Sequence, residues 1–209
     1  MLRKKIAVIG YSGHAYVIIC SLERARNRDG GYFDRESKAV NPFELAYLGS
    51  ESDNAGLAVL REFDYFISIG DNIIRRKIQK RLTTLAHPPI NVIDPTSSVQ
   101  NRVELGSGIF IAPNAIVNAL SVIGNGVVCN SGSVIEHECF VDDYAFISPG
   151  AVVCGNVRIG KSAFIGANAT IKQGVKIGDG AKVGAGSVIL EDVKANMKVV
   201  GNPQRILEK

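Results

Sequence analysis

An aliphatic residue or cysteine returns at every sixth position from Ile93 to Ile189 without a miss. The series runs Ile93, Val99, Leu105, Ile111, Val117, Ile123, Cys129, Ile135, Val141, Ile147, Val153, Ile159, Ile165, Ile171, Ile177, Val183 and Ile189. If such residues fill about a third of a typical chain, seventeen consecutive hits arise by chance on the order of once in 10^8 trials, so the spacing reflects a fold. Four residues after each hit lies a small or β-branched residue, from Ser97, Val103 and Ile109 through to Ala181, Ser187 and Val193. Period six fits neither a 3.6-residue helix nor an alternating strand, and predicts a parallel β-helix of hexapeptide repeats. Each hexapeptide supplies a short strand and a corner, and three close a triangular coil. The large aliphatic points inward and the small residue fits where the corner narrows. Glycine often follows the aliphatic (Gly106, Gly124, Gly160, Gly166, Gly178, Gly184), which predicts a positive φ at that step. With strands about 4.8 Å apart, five to six coils make a prism roughly 27 Å tall. No insertion interrupts it, so an active-site wall must come from a neighbouring subunit or from the other domain.

The repeat claims the second half of a 209-residue chain. Two domains are expected, 1–90 and 91–209, the second with a short tail. In the first, Lys5-Ile-Ala-Val-Ile-Gly10 is a buried-strand signal ending in Gly-Tyr-Ser-Gly-His14, followed by an amphipathic run through Arg26. A strand at Gly31–Asp34, a helix from Asp53 to Glu62, a strand at Tyr65–Gly70 and a basic helix from Asn72 to Thr84 follow. This alternation predicts a small Rossmann-like parallel sheet, α/β in class, with ligands at the carboxyl ends of its strands. Those ends carry Gly10 to His14, Asp34 and Gly70-Asp71-Asn72. Gly10-x-x-Gly13 is short of a full dinucleotide fingerprint and fits a mononucleotide half-site, with Ser12 and backbone amides near phosphate. His87-Pro88-Pro89 and Asp94-Pro95 mark the linker.

Other classes fall away. The charge of +4 carries no arginine-rich or aromatic basic stripe for nucleic acid. Arg3, Lys4 and Lys5 precede only four apolar residues before Gly10, too few for a signal peptide or membrane span, so a cytoplasmic protein is expected. Cys20, Cys129, Cys139 and Cys154 lack metal-ligand spacing; Cys129 and Cys139 fall on inward registers, and no metal is expected. Between Arg158 and Lys182 there are five cations (Arg158, Lys161, Lys172, Lys176, Lys182) against one acid, Asp179, which reads either as a solvated face or as a groove for an anionic cofactor such as coenzyme A.

The prism holds one histidine, His137, in Ile135-Glu-His-Glu-Cys-Phe140. Imidazole titrates near neutrality and can take a proton from an incoming nucleophile, and an adjacent carboxylate raises its basicity. A single histidine also excludes the three-histidine zinc site of a hexapeptide-fold carbonic anhydrase.

Ile9-Gly-Tyr-Ser-Gly-His14, Ser68-Ile-Gly-Asp-Asn72 and Asn130-Ser-Gly-Ser-Val-Ile-Glu-His-Glu-Cys139, with the closing Val200-Gly-Asn-Pro203 turn, resemble the bacterial hexapeptide acyltransferases that N-acetylate nucleotide-linked 4-amino-4,6-dideoxy sugars. These are the bacillosamine- and viosamine-type enzymes, grouped with sialic acid O-acetyltransferases. The resemblance spans nearly the whole chain. It implies a left-handed winding of the β-helix and acetyl-CoA as co-substrate. It also implies His137 as general base, Glu138 as its supporting carboxylate and Asn130 as a positioning group. Ser12, Gly13 and His14 would contact the nucleotide diphosphate, and Asp34 and Gly70 would lie near base or ribose. Acetyl-CoA would run outside the coils near Gly166, Ala167 and Ala185. Phe146 departs from the pattern, standing where some relatives place a second histidine near the thioester.

The expected reaction is direct transfer to the C4 amine of the sugar nucleotide within a homotrimer, in surface-polysaccharide or glycan precursor synthesis. Two alternatives stand beside it: a sialic acid-type sugar O-acetyltransferase, and a non-catalytic β-helix scaffold that binds no acetyl-CoA. A sugar nucleotidyltransferase is disfavoured by the lack of a Gly-x-Gly-Thr-Arg loop.

Overall fold

The computed structural model describes residues 5–27 and 29–207. Arg3 and Lys4, which bear on the signal-peptide argument, lie outside the described residues. The chain divides into two compact units, Met1–Pro95 and Thr96–Lys209. No helix among the described residues is long and apolar enough to cross a membrane.

In the first unit β1 (Ile6–Ile9) lies between β2 (Asp29–Phe33) and β3 (Asp64–Ile67) in a parallel sheet of order β2-β1-β3. All four residues of β1 are buried, the mark of a strand covered on both faces. The helices are α1 (Gly13–Arg24), α2 (Asn54–Leu60) and α3 (Asn72–Leu85). Ala7, Ile9, Phe33, Leu60, Tyr65, Ile67 and Leu82 form one core cluster. α1 stops two residues before the expected end because Arg26 turns to φ +54, where its N–H bonds Glu23 O. β3 stops short of Gly70 because the Ser68 hydroxyl turns back to donate to Ile9 O and Gly10 O. Gly10 itself is required twice over, by φ +89 and by Ile69, whose Cγ1 would lie 2.7 Å from any Cβ added there.

The second unit is a parallel β-solenoid of about six turns. Two-residue strands start every six residues from Val92–Ile93 to Val188–Ile189, and the periodic aliphatic is the second residue of each. Pairing joins residues eighteen apart, as in Cys129↔Ile147, Ile135↔Val153 and Val141↔Ile159, so three hexapeptides close one coil. From Ile111 to Ile189 the periodic residues are buried, and the small residues of the second register, such as Ala115, Ser133, Ala151 and Ala169, are buried with them. The first member departs from this: Ile93 is 39% exposed and belongs to the first unit. Inward stacking begins with Val99, which packs against the core from the end of the prism.

The corner glycines overturn one expectation. None of Gly106, Gly124, Gly160, Gly166, Gly178 and Gly184 has a positive φ. The left-handed step falls three residues after the aliphatic instead, at Gly108, Gly126, Gly132 and Gly150, and equally at Asn114, Glu138, Tyr144 and Asn168. The glycines after the aliphatic answer to stacking. A Cβ on Gly124 would lie 2.6 Å from Asp143 N, and one on Gly166 would lie 2.5 Å from Ala185 N. They keep the coils close; they do not bend the chain. The solenoid ends in Lys198–Val200, a turn through Asn202–Pro203, and the antiparallel strand Arg205–Ile206.

Candidate active site

His137 sits on the corner that follows Val134–Ile135 and precedes Phe140–Val141. Its Nδ1 lies 3.0 Å from Glu138 Oε2. An ionised carboxylate only accepts, so the contact places a proton on Nδ1, and in the neutral ring the lone pair is then on Nε2. The other flanking carboxylate is engaged elsewhere, since Glu136 Oε2 accepts from Asn118 Nδ2 at 2.9 Å. Ser121 pins the corner by donating to Glu136 O and accepting from Cys139 N. Half of the His137 side chain remains exposed.

Two of the prism's thiols are held protonated by burial. Cys139 donates to Cys154 O, and burial pushes its pKa up to about 11, while burial takes Cys129 to about 12. Among the described residues no three His, Cys, Asp or Glu side chains gather as a metal site.

Asn130 is on the preceding corner, where its Oδ1 accepts from Ser131 N. By register it shares an edge of the prism with Gly166, Ala167 and Ala185. Within the chain, His137 and Glu138 are therefore together, and Asn130 and the three expected cofactor contacts lie on the adjacent edge. Phe146 is buried, its ring stacked on Phe164 at 5.4 Å and 19°.

In the first unit, the strand ends differ in how their helices begin. Asp53 caps α2 by accepting from Gly56 N. Asp71, expected to face a ligand, caps α3 by accepting from Ile73 N and Ile74 N. Ser12, the residue before α1, makes no side-chain cap bond, and that helix has no acid in its first turn. A Cβ on Gly13 or Gly70 would meet nothing within 4 Å, so neither glycine is demanded by its surroundings in the fold. Asp34 is already engaged: its carboxylate accepts from Tyr11 N and Arg35 N and pairs with Lys38. It holds the Gly10–Tyr11 turn in place.

Sequence reasoning missed Tyr11 and Arg75. Tyr11 stacks on Tyr32 at 4.2 Å and donates to Asn41 Oδ1. Arg75 is fully buried and donates to Ile69 O, Gly70 O and Asn72 Oδ1, stiffening the loop after β3. The only signal for Arg75 was its place three residues after Asn72, within a helix read only as basic.

Against this geometry, two family models match: the PglD N-terminal domain over residues 5–82, and the bacterial transferase hexapeptide (six repeats) over residues 156–191. PerB from Caulobacter crescentus, solved with CoA and GDP-perosamine, is 30% identical, with TM-score 0.91 over 98% of this chain and 97% of that one. A variant of the Caulobacter perosamine N-acetyltransferase, with one histidine changed to asparagine, was also solved with both CoA and GDP-perosamine. The acetyltransferase domain of PglB from Neisseria gonorrhoeae FA1090, in complex with acetyl coenzyme A, is 30% identical, with TM-score 0.90 over 98% of this chain and all of that one. WeeI from Acinetobacter baumannii AYE is 26% identical, with TM-score 0.86 over 97% and 99%. The chain belongs to the PglD-like hexapeptide-repeat acetyltransferases.

His14 gives this unit a pH dependence. Burial, and secondly the Arg75 guanidinium, press its pKa from 6.5 down to about 4. At neutral pH it is uncharged. The unfolded chain binds a proton that the folded chain does not, so the stability from a neutral His14 is complete above pH 6.5 and is lost as pH falls through about 4. Thermal unfolding followed from pH 7.5 to 4 should show the midpoint falling over that window, and His14→Gln should flatten the fall. A variant that keeps the wild-type slope would assign the pH dependence to other groups.

Proposed function

We propose that this protein is a cytoplasmic acetyl-CoA-dependent N-acetyltransferase. Its acceptor is the C4 amine of a nucleotide-diphosphate-linked 4-amino-4,6-dideoxy sugar on the way to a surface polysaccharide or glycan. The observation that carries this reading is the His137–Glu138 pair, in which the carboxylate holds Nδ1 while half of the histidine side chain stays exposed. The amine nitrogen attacks the thioester carbonyl. The C–N bond forms and the C–S bond breaks, the amine proton passes to His137 Nε2, and the imidazolium returns that proton to the leaving CoA thiolate, which departs as free thiol. Glu138 holds the ring and stabilises the imidazolium formed during transfer. Burial raises the thiol pKa of Cys139, the cysteine that closes the Glu-His-Glu turn, and so disfavours an acyl-cysteine step at that residue.

The sugar nucleotide is assigned to the first unit. Of its three helices only α1 begins without a carboxylate cap, which leaves the amides near Ser12, Gly13 and His14 available to a diphosphate. Asp34 and Gly70 flank that position at the ends of β2 and β3. Acetyl-CoA is assigned to the prism edge bearing Asn130, Gly166, Ala167 and Ala185. Because that edge is not the edge of His137, the reading needs a second copy to bring the two sets together, and closed threefold assembly supplies three equal clefts. That PerB and PglB relatives bind CoA, acetyl-CoA and GDP-perosamine supports these substrate classes.

Screening nucleotide-linked amino sugars for free-thiol release from acetyl-CoA should find an amine acceptor, with the matched hydroxyl sugar inactive. His137→Ala should lower kcat by roughly 10^2 to 10^4 while both substrates still bind, and Glu138→Ala should lose less. Near-normal turnover in His137→Ala would remove the histidine from the mechanism.

Gly13→Leu, placed where the fold leaves open space, should raise the KM for the sugar nucleotide and spare that for acetyl-CoA. Equal damage to both constants would refute the division of labour between the units.

Light scattering at micromolar concentration should give the mass of a trimer. A monomer with full activity would rule out the shared cleft.

A further inference from the structure

His137 stands over a glycine that nothing else in the prism requires. Ile135 pairs with Val153, and Asn156 N donates to His137 O, so residue 155 lies one coil beyond residue 137 in the same column. This register, two residues past each inward aliphatic, is filled by varied residues from Pro95 to Glu191, and glycine occurs in it once, at 155. The backbone does not ask for glycine there. Gly155 lacks a positive φ, and alanine holds the same register at Ala119, Ala167 and Ala185.

What needs the missing side chain is the imidazole. A Cβ on Gly155 would lie 2.6 Å from His137 Cε1, 2.7 Å from Nε2 and 3.2 Å from Nδ1, and these ring atoms are the three nearest. At Gly124 and Gly178 the obstruction is the backbone of the next coil; at Gly155 it is a single side chain, with solvent beside it.

We propose that Gly155 is a positioning residue for acyl transfer, resting on the reading of His137 as the base. Its bare Cα is the floor on which the ring lies with Nδ1 directed at Glu138. The same gap leaves Nε2 free of any neighbouring Cβ. A methyl group at 155 turns the ring outward, away from Glu138, without disturbing the aliphatic column behind it.

A double-mutant cycle tests this. Gly155→Ala should lower kcat by about 10- to 100-fold with both KM values and the melting temperature unchanged, the scale of a misplaced catalytic group. In the His137→Ala background the same change should alter kcat by less than about twofold, because there is no ring left to displace. Near-normal turnover of Gly155→Ala, an equal loss in both backgrounds, or a raised KM for the sugar with kcat retained would each overturn the proposal. If His137→Ala alone keeps its turnover, the base assignment fails before Gly155 is touched, so the two failures are told apart. Should Gly155→Ala not fold, the double variant, with the ring gone, should fold; its failure to do so would also refute the coupling.

Discussion

Everything in the second unit depends on one coil lying flat on the next. Strand N–H groups bond carbonyls a coil further on, as Val134 N does to Ala151 O and Glu136 N to Val153 O. In this geometry a residue's neighbours are those eighteen before and eighteen after it. The inward column becomes a continuous core, and the small residues at the corners let the chain turn without leaving voids. Corner side chains satisfy the preceding coil's amides: Asn125 Oδ1 accepts from Ser107 N, and Asp143 Oδ1 accepts from Asn125 N. Because core and corners are settled separately, an imidazole–carboxylate pair can occupy one corner with no cost to the column behind it.

The architecture was legible because it repeats. Hydrophobic period, strand spacing and inward registers follow from one rule applied many times, and the exception, Ile93, is the member at the end of the series. The glycines were misread because composition cannot separate a residue needed for its own φ from one needed by a neighbour's backbone. Gly166 and Gly132 look alike in the sequence, yet only Gly132 has the left-handed conformation. The conspicuous Glu-His-Glu motif was visible, but not which carboxylate serves the ring. Asn118, eighteen residues before Glu136, draws that side chain away and leaves Glu138. Gly155 escaped notice for the same reason: its meaning lies one coil back.

The first unit was legible at the level of elements and less so at the level of its site. Strand ends and helix starts were foreseeable from the apolar runs and glycines. The roles of Asp71 and Asp34 were not, since each carboxylate satisfies amides of a nearby turn or helix start, at positions where a ligand could equally have been expected. Arg75 shows the converse. A basic residue on a helix rich in Arg and Lys is buried and holds two carbonyls and an asparagine, so the loop after β3 is held from beneath.

The strict spacing of the prism also governs how such a gene can change. Loss or gain of one hexapeptide keeps every aliphatic inward, so the core would survive. It would nonetheless rotate all later residues by one face of the triangle. Positions that share an edge, such as Asn130 with Gly166 or His137 with Gly155, would then be carried to different edges. Only steps of a whole coil, eighteen codons in length, preserve those alignments. Selection on the corners therefore fixes the reading length of a segment whose core alone would tolerate change in units of six.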